Sequence, residues 1–178
     1  MSKVVARFEK VSYGEFKKSW LKIYSPIGYS DEQIKDIYDN IRLPERSTKR
    51  SSGYDFFSPG NLAITIVKGD STIIPTGIRC VFLEDGYDLI LCPRSGMGFK
   101  NRVHLDNTIG VIDNDYFESE NEGHIMVKLS CDPRNEDYVT INPGDKFVQG
   151  IIREYFLTEN DDGVEKQNRD GGFGSTGE

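Results

Sequence analysis

Short runs of alternating apolar and polar residues constrain the fold of this chain more than any other feature. Such alternation places the apolar side chains on one face of a β-strand. The turn sequences KGD, EDG and NPGD separate the runs, and short strands between closely spaced turns are typical of antiparallel sandwiches and barrels. We therefore predict an all-β fold. The alternating apolar positions are Leu62, Ile64 and Ile66; Ile78, Cys80 and Phe82; Tyr87, Leu89 and Leu91; Ile125, Val127 and Leu129; Val139 and Ile141; they precede the long apolar run KFVQGIIREYF.

The N-terminal region follows a different pattern. After a predicted strand at 4–11, two sequences suit capping boxes, Ser12 with Glu15 and Ser30 with Gln33. Apolar residues then recur at helical spacing, so residues 12–41 are predicted to form two short helices. These apolar residues are Phe16, Trp20, Leu21 and Tyr24 in the first helix, and Ile34, Ile37, Tyr38 and Ile41 in the second.

Composition excludes several classes of protein. The mean hydropathy is −0.51 and no apolar run approaches the roughly 20 residues of a membrane helix, so no membrane span is expected. The N-terminus lacks the apolar stretch of a signal peptide, and the odd number of cysteines, expected to be core thiols, favours the cytosol. Residues 1–50 hold 11 Lys or Arg against 7 Asp or Glu, and residues 51–178 hold 11 against 22. The larger, acidic part is therefore a poor nucleic-acid binder.

Cysteines and histidines give no metal signature. The three cysteines, Cys80, Cys92 and Cys131, lack the spacing of metal ligands. Cys80 and Cys92 lie in apolar runs, so we expect core thiols. His104 and His124 are not spaced as a metal pair and are expected to be ordinary strand residues.

Two polar interruptions of the strand pattern could carry chemistry. In SSGYDFFS, Asp55 lies within an apolar, aromatic strand, where a carboxylate needs a partner or a metal-bound water. In PRSGMGFK, Arg94, Ser95 and the backbone N–H of Gly96 could together hold phosphate oxygens. The alternatives are a plain turn before a strand and a hairpin loop with a surface arginine.

Two further interruptions follow. In LDNTIGVIDNDYF, Asn107 could read a base edge, Asp113 could act as a general base for water, and Tyr116 offers a flat face for a sugar. The alternative is a hairpin with an acidic turn. In NPGDKFVQG, Gln149 stands where the strand alternation would place an apolar or a loop-facing residue. The alternative to a functional role is a core glutamine with local hydrogen-bond partners.

The chain ends in a polar, glycine-rich stretch. Residues 158–172 are predicted to be a linker, and the tail RDGGFGSTGE carries an aromatic ring, Phe173, and a guanidinium, Arg169. Glycine loses the most conformational freedom on ordering, so such a tail needs a ligand to hold it in place. We therefore predict a domain at 1–157, which includes the helical insert 12–41, and a C-terminal arm at 158–178.

Taken in order, five stretches resemble the five motifs of the trimeric dUTP pyrophosphatases, the dUTPases. They are SGYDFFS, PRSGMGFK, DNTIGVIDNDY, GDKFVQGI and GGFGSTG. The resemblance implies a jelly-roll-like β-barrel subunit and a homotrimer whose active sites each draw on several chains. It implies Mg²⁺-dependent hydrolysis of dUTP to dUMP and pyrophosphate, which keeps uracil out of DNA and supplies dUMP for thymidylate synthesis.

The same resemblance implies a role for each site residue. Asp113 would orient and deprotonate the water that attacks the α-phosphorus. The arm would close over the nucleotide and exclude other water. The remaining roles are as follows: Arg94, Ser95, Gly96 and Gln149 hold the phosphate chain; Asn107 and the backbone near Val111, Ile112 and Met126 read uracil; Tyr116 packs beneath the deoxyribose; Asp55 holds a water of the Mg²⁺ shell; Phe173 stacks on uracil, Arg169 and Ser175 reach the phosphates, and Gly174 lets the backbone approach the ligand.

The chain departs from the family pattern in three places. Arg169 stands four residues before Phe173 rather than five, residues 117–122 lengthen the turn after Tyr116, and the insert 12–41 replaces a short N-terminus. The insert could pack on the barrel or hold an unknown partner. Two rival functions remain, a dCTP deaminase of the same fold superfamily and a pure binding protein. Ammonia release from dCTP without pyrophosphate would favour the first, and absence of dUTP hydrolysis would favour the second.

Overall fold

Eleven strands dominate the part of the chain that the structure describes. The computed structural model describes residues 3–60, 63–135 and 137–161. The strands are β1 Ala6–Lys10, β2 Tyr54–Phe57, β3 Ile64–Val67, β4 Ser71–Pro75, β5 Ile78–Phe82, β6 Tyr87–Pro93, β7 Val103–Leu105, β8 Gly110–Ile112, β9 Met126–Cys131, β10 Tyr138–Ile141 and β11 Lys146–Glu154. The helices are α1 Tyr13–Tyr24, α2 Asp31–Asp39 and α3 Ser95–Phe99, with 3-10 turns at Ser25–Ile27 and Asn114–Glu118.

The strands pair only in the antiparallel sense within the described residues. One sheet has the order β2-β11-β6-β8 and a second has the order β4-β9-β7. Two further pairs, β1 with β5 and β3 with β10, complete the set. Most of the alternating apolar positions, such as Ile78 and Cys80 on β5, are buried, whereas Tyr87 and Val139 are half-buried. The all-β prediction is therefore confirmed.

One strand escaped the sequence pattern. Strand β4, with the sequence STIIP, pairs with β9 from Ser71 to Pro75. Its two isoleucines are adjacent, Ile74 buried and Ile73 partly exposed. The sequence of β4 therefore shows no alternation of apolar and polar residues from which the strand could be predicted. Leu62, which was predicted to begin the first alternating run, lies outside the described residues.

The two predicted helices of the insert are confirmed, and their caps differ from each other. Ser30 and Gln33 form the full capping box at the start of α2. At the start of α1, the Ser12 hydroxyl accepts from the Glu15 N–H as predicted. The Ser12 N–H, however, donates to the carboxylate of Glu122 at 2.7 Å. The box predicted at Ser12 is thus wrong in its second half, because a distant residue supplies that acceptor.

The insert packs on the strands. Phe16 and Trp20 of α1 and Ile34 and Ile37 of α2 belong to the same apolar core as the strand residues. Leu21 was predicted on this apolar face but is 38% exposed, because it lies at the edge of the helix's buried face.

A glycine allows this close packing. Gly77 has φ +70, and a Cβ there would lie 2.3 Å from the Ile41 side chain and 3.2 Å from the Phe16 ring. A larger residue there would strain the backbone and force the Ile41 and Phe16 side chains to shift.

Three smaller expectations have definite outcomes. The segment after β6 is not a hairpin loop, because residues Ser95–Phe99 form the short helix α3. Cys80 is a buried free thiol, as expected, whereas Cys92 is only partly buried. His124 is not a strand residue, since it precedes β9 and is completely buried. No described helix is long and apolar enough to cross a membrane.

The boundary between domain and arm stays a prediction. It was drawn between residues 157 and 158, and the description of the chain stops at residue 161.

Candidate active site

Three neighbouring strands bring together the first, second and fourth interruptions of the sequence. Strand β11 lies between β2 and β6, so Gln149 pairs with Asp55 on one side and with Cys92 on the other. Arg94 follows two residues after Cys92. Sheet pairing therefore assembles, within one chain, residues that are far apart in the sequence.

A buried carboxylate lies at the centre of this assembly, which we call the cationic cluster: Ser47, Asp55, Arg94, Lys146 and Gln149. Asp55 is 6% exposed. Its Oδ1 lies 2.8 Å from Arg94 Nε, and its Oδ2 lies 3.0 Å from Lys146 Nζ. The Ser47 hydroxyl donates to the same Oδ2 at 2.5 Å. The predicted partner of the Asp55 carboxylate is thus a pair of cations, Arg94 and Lys146.

These contacts keep Asp55 ionised. Burial alone would raise its pKa, but the hydrogen bonds from Ser47 and Lys146 and the charge of Arg94 outweigh it, so the pKa lies below the usual value. With two cations against one carboxylate, the cluster keeps one positive charge. It can therefore attract an anion.

The other predicted phosphate contacts surround the cluster. Ser95 and Gly96, at the start of α3, are exposed, and space is open around the Gly96 Cα. Gln149 is half-buried, and its Nε2 donates to the Pro93 carbonyl at 3.4 Å. The hydrogen bond to Pro93 fits the alternative of a core glutamine with local partners, but the partial exposure of Gln149 does not. A groove of about 350 Å³ beside the cluster is lined in part by Arg42, Phe57, Arg94, Met97 and Lys146.

The 105–117 segment runs between two sheets. Strand β7, before the turn, pairs with β9, while β8, after the turn, pairs with β6. The alternative of a hairpin is therefore wrong, because the two arms do not pair with each other. The turn itself is tight, since the Ile109 N–H donates to the Asn107 carbonyl at 2.7 Å.

The four residues predicted to read uracil lie around this turn. Asn107 and Val111 are exposed, and Ile112 and Met126 are half-buried. Leu105 pairs with Leu129, and the Asp106 N–H donates to the Lys128 carbonyl at 3.1 Å. Since the strands are antiparallel, Asn107 lies at the end of β9 where Met126 begins the strand.

Asp113 lies at the C-terminal end of β8. It is half-buried and caps the 3-10 turn Asn114–Glu118, where its carbonyl accepts from the Tyr116 N–H at 3.1 Å. It lines a cleft of about 470 Å³ with acidic neighbours that include Asp85 and Asp88. Arg153 binds Asp88 at 2.8 Å and offsets part of this negative charge.

Tyr116 is more enclosed than a sugar-binding ring was expected to be. Only 5% of it is exposed. Its hydroxyl donates to the His124 carbonyl at 3.1 Å and accepts from Asn121 Nδ2 at 2.8 Å. Contact between its ring and a deoxyribose stays a prediction.

The structure keeps Asp113 and the cationic cluster apart. Ile112 pairs with Leu89, so Asp113 lies level with Asp88, six residues before Arg94. A strand rises about 3.3 Å per residue, so about 20 Å of sheet separates the positions of Asp113 and Arg94. Within one chain, Asp113 and Arg94 are therefore not neighbours.

The remaining predicted contacts fall on the arm. Arg169, Phe173, Gly174 and Ser175 lie outside the described residues. Sequence reasoning missed two members of the cationic cluster. Lys146 stood in the quoted stretch NPGDKFVQG, three residues before Gln149, and its charge beside an apolar run was a usable signal. Ser47 carried none, because only the fold brings residue 47 next to β2.

Comparison with known proteins decides the family. The dUTPase family model matches residues 39–177. This chain belongs to the dUTPase family. It is 36% identical over 140 residues to the deoxyuridine 5′-triphosphate nucleotidohydrolase of Lactococcus lactis, a match that covers 77% of this chain and 89% of that protein. It is 33% identical over 150 residues to the enzyme of the same name from Burkholderia lata, covering 83% of this chain and 97% of that protein.

A solved structure of the family supports the same conclusion. The dUTPase from Streptococcus mutans matches with a TM-score of 0.60 and 27% sequence identity, covering 85% of this chain and 98% of that one. The predicted dUTPase-like jelly-roll fold is thereby confirmed. The family model begins at residue 39, so α1 and most of α2 precede the part of this dUTPase-family chain that it matches.

Proposed function

We propose that this chain hydrolyses dUTP to dUMP and pyrophosphate by attack of water on the α-phosphorus. The observation that carries the proposal is the family match over 39–177, which spans every proposed site residue from Asp55 to Ser175. The reaction would keep uracil out of DNA and supply dUMP for thymidylate synthesis. All three cysteines are free thiols, a state that reducing compartments maintain, so we propose a cytoplasmic location.

The cationic cluster would hold the phosphate chain. Arg94 and Lys146 share one buried carboxylate, Asp55, so incoming phosphate oxygens would compete with that carboxylate for the guanidinium. Arginine suits this exchange because its planar fork binds phosphate as well as carboxylate. Ser95, the Gly96 N–H and Gln149 border the cluster and would complete the contacts.

The residues fit a magnesium ion that is bound mainly through water and phosphate. Across residues 3–60, 63–135 and 137–161, no group of three or more His, Cys, Asp or Glu could hold a metal directly. Mg²⁺ usually keeps several waters and binds through one or two carboxylates together with substrate phosphates. Asp55 is the ionised carboxylate beside the phosphate contacts and would hold one of those waters. When bound, the ion would neutralise charge on the phosphate oxygens.

The 105–117 segment would bind the nucleoside and supply the general base for the reaction. Asp113 would accept the proton of the attacking water. Asn107 and the backbone of Val111, Ile112 and Met126 would recognise uracil, with no room for a 5-methyl group. Tyr116 would pack beneath the deoxyribose and exclude a ribose 2′-hydroxyl.

We propose a homotrimer whose sites are shared between chains. The separation of about 20 Å between Asp113 and Arg94 along one sheet supports this arrangement, because a second chain must then supply the partner residue. In each site, Arg169, Phe173, Gly174 and Ser175 of an arm would close over the nucleotide.

A pyrophosphate-release assay with dUTP, dTTP, dCTP and UTP, with and without Mg²⁺, tests the activity. Of the four nucleotides, we expect only dUTP to release pyrophosphate rapidly. We also expect this reaction to require Mg²⁺. Ammonia release from dCTP would instead identify a deaminase, and turnover of UTP at the rate of dUTP would contradict the role of Tyr116.

Mixed trimers test the shared site. Asp113→Asn and Arg94→Ala are each expected to be inactive alone. When the two variants are co-expressed and assemble at random, about a quarter of the sites receive both native residues and regain activity. Mixtures with no activity above that of the separate variants would overturn the shared site.

A further inference from the structure

The second half of the 3-10 turn and the residues after it fold back onto Tyr116. We call residues 117–124 the Tyr116 loop. Asn121 and His124 hold the two hydrogen bonds of the Tyr116 hydroxyl, at 2.8 Å and 3.1 Å. The position of this tyrosine is therefore tied to the far end of the loop as well as to its own backbone.

The loop has little freedom to move away from Tyr116. Gly123 has φ +72, and a Cβ there would lie 2.5 Å from Phe117 Cα and 2.9 Å from the Tyr116 carbonyl oxygen. Glu122 also has a positive φ, +57, which is uncommon outside glycine. A displacement of residues 122–124 would thus be passed to Tyr116.

Helix α1 of the insert holds the loop at Glu122. The Ser12 N–H donates to Glu122 Oε2 at 2.7 Å, and the Ser12 hydroxyl donates to Oε1 at 2.5 Å. Burial opposes ionisation of Glu122, but the bonds from Ser12 prevail and its pKa lies below the usual value. A carboxylate at the N-terminus of a helix is also favoured by the helix dipole.

The same helix holds the loop a second time, at His124. The Gly77 N–H donates to His124 Nε2 at 2.8 Å, so in the neutral ring Nδ1 carries the proton. Nδ1 lies 3.1 Å from the Ser19 hydroxyl, which in turn donates to Glu15 Oε1 at 3.0 Å. Burial lowers the pKa of His124 to about 4, so this neutral arrangement persists at pH 7.

We propose that α1 is a positioning element for Tyr116, acting through Glu122 and His124, and that it thereby sets how well the site distinguishes deoxyribose from ribose. The inference rests on the proposed function, in which Tyr116 packs beneath the sugar. Two segments that depart from the family pattern, the insert and the turn at 117–122, contact each other directly at Ser12 and Glu122. The insert is thus assigned a task in substrate selection.

The test compares kcat/KM for dUTP and for UTP in four full-length proteins. Glu122→Ala removes both acceptors for Ser12 and leaves the positive φ as strained as before. Glu122→Gln keeps an acceptor and a second hydrogen-bonding group at the same places. Ser30→Ala is the matched control, because it removes the corresponding N-cap hydroxyl from α2, whose bond is with the Gln33 N–H of the same helix.

Glu122→Ala is expected to lower the ratio of the two kcat/KM values about tenfold, as displaced positioning residues do. Glu122→Gln should stay close to the wild type, and Ser30→Ala should lower the melting temperature while leaving the ratio unchanged. An unchanged ratio in Glu122→Ala, with only a lower melting temperature, would overturn the inference.

A second variant covers the case in which Glu122→Ala does not fold. Ser19→Ala breaks the contact with His124 Nδ1 and should lower the same ratio in the same direction, by about threefold; no change in either variant overturns the inference. A wild-type protein that releases no pyrophosphate from dUTP would overturn the proposed function itself, whereas an active wild type with an unresponsive Glu122→Ala would overturn the positioning role alone.

Discussion

The cationic cluster is built around three paired strands, β2, β11 and β6, whereas the 105–117 segment runs between two sheets and depends on a helix from another part of the chain. In the cluster, Asp55 is held by Arg94 and Lys146 from adjacent elements of one sheet. In the segment, Tyr116 is held by its loop, and the loop is held by Ser12, the N-cap of α1, and by Ser19 of α1.

The two regions therefore obtain their rigidity from different physical sources. Ion pairs with a buried carboxylate hold the cluster, whereas the bonds of a buried, neutral histidine and of the Glu122 carboxylate with helix α1 and its N-cap hold the segment. The cluster would exchange its partners when phosphate binds. The segment must keep its shape, because it would select the base and the sugar. Mutations and changes of pH should therefore affect the two regions differently.

The largest expected effect separates the regions by function. Asp113→Asn should lower kcat for dUTP by about 10³-fold or more, because it removes the proposed general base. The affinity for a non-hydrolysable dUTP analogue should stay within a few-fold of the wild type, because the cluster is intact. Pyrophosphate release and isothermal titration calorimetry measure the two quantities.

Asp115→Asn is the matched control for that variant. Asp115 lines the same acidic cleft and lies in the same 3-10 turn, so it makes an equal change of charge. Its kcat should remain near that of the wild type. A loss equal to that of Asp113→Asn would assign the effect to the field of the cleft rather than to a base.

The next prediction concerns the pH at which each region loses its contribution to the free energy of unfolding. Burial lowers the pKa of His124 from 6.5 to about 4. Between these values the unfolded chain binds the proton and the folded chain does not, so stability falls as the pH is lowered from 6.5 to 4. The loss should reach on the order of 2–3 kcal/mol, and equilibrium urea unfolding across this range measures it.

Asp55 should act in a lower window. Its pKa lies below the ordinary value of 3.8, so the stability it contributes is complete above that value and is lost as the pH falls further. His124→Gln should therefore flatten the dependence between pH 6.5 and 4 and leave the loss below pH 4 in place. An equally steep slope in His124→Gln would remove the distinction between the two regions.

The smallest effect concerns the geometry of the cluster. Arg94→Lys keeps the charge but loses the planar fork, so KM for dUTP should rise about tenfold while kcat changes less. Arg134→Lys is the control, because Arg134 also pairs with a carboxylate, that of Asp132, and lies outside both regions. A KM unchanged in Arg94→Lys would show that charge alone suffices at this position.

Much of the fold could be predicted from local patterns. Alternation at positions such as Ile78 and Cys80 indicated buried strand faces, and Ser30 with Gln33 marked the start of α2. These predictions succeeded because period, cap and turn are properties of a few neighbouring residues. β4 was missed because its two isoleucines are adjacent, and Leu21 was misplaced because spacing alone does not locate the edge of a buried face.

The sequence by itself determined which residue types are available for chemistry: a carboxylate in an aromatic strand, an arginine after another strand, and Asp113 beside Tyr116. Tertiary structure alone decided their partners. It paired Asp55 with Lys146, separated Asp113 from Arg94, and joined Ser12 to Glu122 across the chain. The physical reason is that hydrogen bonds and ion pairs act over a few ångströms, and only the packed sheets bring such distant residues within that range.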